Sequence, residues 1–181
     1  MKIALFGGSF DPPHKGHQKI AHQALELLDI DQLFIVPTFL NPFKKCSHAP
    51  SDLRKKWLEQ LFGNCEKIKI LSFESDSKRQ VPTIETVLHI KKTYPVSKLY
   101  LIVGSDSFAT LPQWTRYEEL MTHVEVVVAL RHKFESSKDL KILPINVNIS
   151  SSKLREHLDE TFIPKRIRQE VKEYYSKESN G

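Results

Sequence analysis

Short apolar runs alternate along this chain with segments whose apolar residues return every three or four positions. The runs are residues 3–6, 33–36, 67–72, 99–103, 124–130 and 147–149, each of strand length. Between them, Ile20, Ala21, Ala24, Leu25 and Leu28 keep helical spacing. So do Leu53, Trp57, Leu58, Leu61 and Phe62, with Ser51 or Asp52 as a cap and Gly63 as a stop. Thr83 opens a further helix, with Ile84, Val87 and Leu88 inward and Pro95 beyond its end. Helices at 117–121, 150–157 and 165–175 complete the set, the last with Pro164 at its first position. Residues 74–81 are polar and irregular, and the tail 176–181 is expected to be disordered.

Strands alternating with helices predict an α/β fold. It is a doubly wound parallel sheet of order 3-2-1-4-5 plus a short sixth strand, 147–149, with helices on both faces. The run 99–103 is the most continuously apolar and predicts a central strand, whereas 67–72 alternates and belongs nearer an edge. In this order the first and fourth strands are neighbours where the winding reverses, and ligands bind at their carboxyl ends. Those ends are Gly7-Gly8-Ser9 and Gly104-Ser105-Asp106.

Composition narrows the class. Residues 1–181 fit one domain, and 40% hydrophobic with 27% charged residues is ordinary for a globular protein. No run reaches membrane-spanning length, and the first strand follows Met1-Lys2 without a signal peptide. Cys46 and Cys65 form no CxxC pair, which suits free thiols in the cytoplasm. A net charge of +5 suits polyanionic small molecules and is too diffuse to point to nucleic acid.

The chemistry concentrates in the stretch GGSFDPPHKGH, Gly7 to His17, between the first strand and first helix. Glycines there allow unusual backbone conformations and close approach to a ligand. The helix start that follows offers amides and a positive dipole end to phosphate. His14 and His17, three apart, share one face of the first turn. A plain turn with surface histidines, or a metal pair, are the other readings, although no carboxylate beyond Asp11 and no Cys sits at ligand spacing. A second feature is Ser150-Ser151-Ser152-Lys153-Leu154-Arg155, where basic residues in a helix's early turns oppose its dipole unless an anion binds there. An indifferent surface helix is the alternative. The basic loop 38–50 either covers an anion or is simply solvated. GxGxxG with its later acidic residue is absent, which disfavours hydride transfer, and the P-loop pattern is missing as well. No nucleophile–base pair is evident, which favours direct transfer between two bound substrates.

GGSFDPPHKGH resembles the signature of the bacterial nicotinate-nucleotide adenylyltransferases, within the nucleotidyltransferase superfamily that carries an HxGH element. Residues 149–155 resemble that family's second signature, ISSTxxR, with Ser152 where Thr is common. The resemblance implies a Rossmann-like nucleotidyltransferase domain that moves AMP from ATP to nicotinate mononucleotide, giving deamido-NAD and pyrophosphate. It implies catalytic roles for His14, His17 and Arg155. It implies ATP contacts from Gly7, Gly8, Ser9, Phe10, Lys44, Gly104, Asp106, Ile149, Ser151 and Ser152. Lys44 follows Phe43 where the family usually has a histidine. Thr83 and Trp114 are implied in binding the pyridine nucleotide, with Trp114 as a core or rim residue the alternative. Magnesium would travel with the ATP phosphates rather than on a protein site. Nicotinamide mononucleotide, phosphopantetheine or a non-catalytic nucleotide-binding module remain rival readings. Neither membrane nor nucleic acid is an expected partner, and a homo-oligomer is left open.

Overall fold

A computed structural model describes residues 1–40, 47–130, 140–147 and 149–178. Six parallel strands, β1 (Lys2–Gly8), β2 (Gln32–Pro37), β3 (Ile68–Ile70), β4 (Lys98–Gly104), β5 (Glu125–Leu130) and β6 (Lys141–Pro144), form one sheet of order β3-β2-β1-β4-β5-β6. The helices are α1 (Lys15–Leu27), α2 (Ser51–Phe62), α3 (Phe73–Asp76), α4 (Thr83–Thr93), α5 (Ser105–Thr110), α6 (Tyr117–His123), α7 (Ser151–His157) and α8 (Arg168–Glu178).

Because side chains alternate across a strand, β1 feeds two cores. Ile3 and Leu5 join Ile84, Val87 and Ile90 of α4 and Leu120 of α6 on one face. Ala4 and Phe6 join Ile20 and Ala24 of α1, Trp57 and Leu58 of α2 and Val171 of α8 on the other. Both faces being covered, β1 and β4 are buried from the residue after their opening lysines, through Phe6 and Val103, and lie beside each other, with Phe6 paired to Ile102. This is the open, doubly wound arrangement that the alternation of elements predicts.

Four local expectations need correction. The sixth strand is Lys141–Pro144, and Val147 and Ile149, assigned to it from the sequence, lie outside any strand. Residue 143 is the buried position of that exposed edge, too short a signal to stand out, while Ile149 is buried in the core as irregular chain. The cap of α2 is Pro50, without a side-chain bond, so neither Ser51 nor Asp52 occupies that position. The chain after Pro164 turns once more, Ile167 N–H donating to the Pro164 carbonyl, before α8 begins at Arg168. That helix then runs through 176–178, which the sequence reading assigned to a disordered tail, because Val171 and Tyr175 anchor its inner face.

Candidate active site

The loop from β1 to α1 is built by packing more than by glycine conformation. No described glycine has a positive φ; the left-handed residue is Phe10, at φ 48°. Its ring is buried and lies edge-on to Phe6 at 5.3 Å and to His17 at 4.8 Å. Gly8 is small because a Cβ there would meet that ring at 3.2 Å. Phe10 therefore supports the histidines from beneath, and its side chain faces the core.

His14 stands at the N-cap of α1, and its ring stacks on His17 at 3.7 Å with planes 19° apart. The His14 backbone N–H donates to His17 Nδ1 at 3.1 Å. Since an amide can only donate, Nδ1 is the acceptor, and a neutral His17 carries its proton on Nε2. Gly16 leaves room for this stack: a Cβ would fall 2.9 Å from His14 Cε1 and Nδ1, and 3.5 Å from Ile149 Cγ2. The first intrahelical bonds run from His17 and Gln18 to the His14 carbonyl, so no earlier helical carbonyl takes the amides of Lys15 and Gly16.

Helix α7 closes on the same loop. Ser150 caps it, accepting from Lys153 N–H at 3.2 Å. Ser151 Oγ donates to the Pro12 carbonyl at 3.0 Å, and Arg155 donates to the Asp11 carbonyl, 144 positions earlier in the chain. Arg155 also reaches Ser152 Oγ at 3.4 Å and lies 4.0 Å from the Asp11 carboxylate. The two histidines, the α1 start and the guanidinium thus share one rim. Asp11 holds it together: its carboxylate accepts from the amides of His48 and Ala49 at 2.9 and 3.0 Å and from Tyr175 Oη at 2.5 Å.

Beside this rim, between the ends of β1 and β4, lies a cavity of about 240 Å³. Gly7, Gly8, Gly104, Thr83 and Trp114 line it, so the predicted switch-point crevice and the predicted pyridine-side residues meet there. Trp114 is half-buried, with its indole N–H unpartnered among the described residues. Asp106, exposed in the first turn of α5, does not line the cavity, nor do half-buried Ser9 and exposed Ser152, the latter beside Arg155. Lys44, with Phe43, lies outside the described residues.

The sequence reading missed the side chains that brace this site. Arg54 of α2 is fully buried and donates to the carbonyls of Ser9 at 2.6 Å and of Phe39 and Ala49 at 2.9 Å each. Burial pushes its pKa down and the Asp11 charge opposes that. Glu74, in the stretch read as irregular, lines the cavity and accepts from Thr86 Oγ1 at 2.6 Å. Burial pushes its pKa up to about 7. An Arg at helical spacing with apolar residues marks Arg54 only weakly, and nothing local marks Glu74. Among the described residues no group of three or more His, Cys, Asp or Glu is placed to hold a metal, and no helix is long and apolar enough to cross a membrane.

Comparison with known proteins gives one consistent picture. Residues 5–157 match the family described as cytidylyltransferase-like. A Campylobacter jejuni protein (strain 81-176) named "Probable nicotinate-nucleotide adenylyltransferase" is 46% identical over 177 residues, 98% of each chain. One of the same name from Sulfurimonas denitrificans is 43% identical over 176 residues, 97% of this chain and 96% of that one. Among solved structures, the Plasmodium falciparum nicotinic acid mononucleotide adenylyltransferase complexed with NaAD has a TM-score of 0.78 over 96% of this chain and 95% of that one. At 20% identity that likeness speaks for the fold.

Proposed function

The chain belongs to the cytidylyltransferase-like family and, within it, to the nicotinate-nucleotide adenylyltransferases, and we propose that it transfers AMP from ATP to nicotinate mononucleotide. The products are deamido-NAD and pyrophosphate, a step of NAD biosynthesis. We take residues 1–181 as one nucleotidyltransferase domain working in the cytoplasm. The observation that carries the reading is the bond from Arg155 to the Asp11 carbonyl, which sets a fixed cation beside the stacked histidines at the start of α1.

The mechanism follows from that placement. A phosphate oxygen of the mononucleotide attacks the α-phosphorus of ATP; one P–O bond forms and the bond to pyrophosphate breaks. No side chain is needed as a nucleophile, so the protein's work is to align two anions and stabilise the charge on the leaving group. His17 Nε2–H, the amides of Lys15 and Gly16 at the start of α1 and the Arg155 guanidinium supply fixed donors. His14, stacked on His17, keeps that ring oriented and adds a second imidazole beside the phosphates. Ser151 and Ser152 hold the start of α7 at the pyrophosphate end, with Ile149 packed beneath. Gly7, Gly8, Ser9 and the Phe10 backbone border the triphosphate, Gly104 and Asp106 the adenosine, and Lys44 is a further cation of the ATP site. Trp114 offers a ring face to the pyridine, and the Thr83 amide at the start of α4 takes its carboxylate. Magnesium is read as part of the ATP substrate.

Pyrophosphate release with ATP and a panel of nicotinate mononucleotide, nicotinamide mononucleotide and phosphopantetheine tests the reading. Turnover is expected with the nicotinate substrate. His17→Ala should lower kcat by about 10²–10³-fold while the folded spectrum is retained. Binding of ATP without release in the presence of every acceptor would overturn it.

A further inference from the structure

One acidic side chain at the cavity is left unexplained by adenylyl transfer. Glu74, on α3, is 5% exposed yet lines the cavity together with Thr83, Pro82 and Trp114. Thr86, fully buried one turn beyond Thr83 on α4, donates its hydroxyl to Glu74 Oε1. The carboxyl is therefore fixed beneath the first turn of α4, at the wall where the function proposed above puts the substituent of the pyridine ring.

We propose that Glu74 is a specificity-determining residue of the acceptor pocket, which reads the anionic carboxylate of nicotinate mononucleotide by donating a proton held on Oε2. The proposal rests on the function given above. An ionised carboxylate here would repel a second carboxylate and accept from an amide, favouring the nicotinamide form. A neutral acid does the reverse, because O–H donating to O⁻ is among the stronger hydrogen bonds. With Oε1 engaged by the Thr86 hydroxyl, the proton of the neutral form belongs on Oε2.

The surroundings support the neutral form. Burial raises the Glu74 pKa to about 7; the Thr86 bond opposes the rise and the like charge of Glu85 adds to it. Glu85 is itself paired with Arg79 at 2.5 Å. Strand β2 brings no charged side chain, Arg54 of α2 turns its guanidinium to three carbonyls, and Asp76 of α3 takes the Ser72 hydroxyl at 2.5 Å. No cation is aimed at Glu74 to hold it ionised among these groups.

The test is KM for nicotinate and nicotinamide mononucleotides, read by pyrophosphate release across neutral pH, in the wild type and Glu74→Gln. In the wild type, KM for the nicotinate substrate should climb about tenfold per pH unit once pH exceeds the Glu74 midpoint, as the competent fraction falls. In Glu74→Gln that climb should vanish, since the amide donates in every state while its carbonyl still accepts from Thr86. KM for ATP should not follow the same profile. The second ionisation of the mononucleotide phosphate, near pH 6, is common to both enzymes and cancels in their ratio. Thr86→Val, which removes the bond that opposes the shift, should move the wild-type midpoint upward. Identical KM profiles in wild type and Glu74→Gln, or an unmoved midpoint in Thr86→Val, overturn the proposal while leaving the adenylyltransferase reading intact. Failure of both pyridine nucleotides to release pyrophosphate overturns both.

Discussion

At the scale of single residues, the site is set by contacts that leave no spare room. Gly16 is the clearest case. Its backbone is unexceptional, and what matters is the missing Cβ, which would fall 2.9 Å from the His14 ring. Gly16→Ala should therefore push that imidazole off its stack and lower kcat by about tenfold or more. Stability should change by less than about 1 kcal/mol, since Ala is the better helix former. Steady-state kinetics beside a thermal melt separates the two effects. Glu74 gives a second prediction. Its ordinary pKa is 4.5 and its folded value about 7, so between them the folded state binds the extra proton. Its contribution to stability is complete below pH 4.5 and is lost as pH rises through about 7. The loss is about 3 kcal/mol in all. Glu74→Gln lacks that dependence, so its Tm relative to the wild type should rise across this window and level off above it. A constant difference would mean that Glu74 is ionised in the folded protein throughout.

At the scale of elements, the site depends on where helices begin. The start of α1 carries the histidine pair, the start of α7 carries the serines that tie it to Pro12, and the start of α4 lines the cavity. Pro82 caps α4 and leaves Thr83 as its first residue, a position where proline is tolerated but brings no N–H. Thr83→Pro should thus fold normally, yet raise KM for nicotinate mononucleotide about tenfold or more, because it deletes one donor to a charged group. An unchanged KM would remove the Thr83 amide from the binding of the carboxylate. The hydroxyl-rich start of α7 and the periodicity of α1 were readable in the sequence. The cap of α2 and the start of α8 were not, because turn and cap geometry depends on the carbonyls that neighbouring chain supplies.

At the scale of the whole molecule, the sheet brings distant segments to one rim and the closing helix locks them there. Tyr175 of α8 donates to the buried Asp11 carboxylate, 164 positions away, and Asp11 holds both the turn before α1 and the chain leading into α2. Removing that hydroxyl in Tyr175→Phe should cost about 1.5–3 kcal/mol, as for a bond to a charged acceptor. Urea unfolding is the measurement, and an unchanged midpoint would show that α8 does not brace the loop through this bond.

The sequence by itself determined the alternation of elements, the strand order and the two stretches that meet at the candidate site, GGSFDPPHKGH and residues 149–155. Those signals are local: apolar periodicity records which faces are covered, and helix starts have their own residue preferences. Tertiary structure alone decided that Arg155 lies against Asp11, that Arg54 braces Ser9 from within, that Glu74 is a buried acid at the cavity, and that the sixth strand is Lys141–Pro144. The reason is physical. Burial, desolvation and a hydrogen bond across more than a hundred residues are properties of packing, and an isolated Glu or Arg in a sequence carries no record of them.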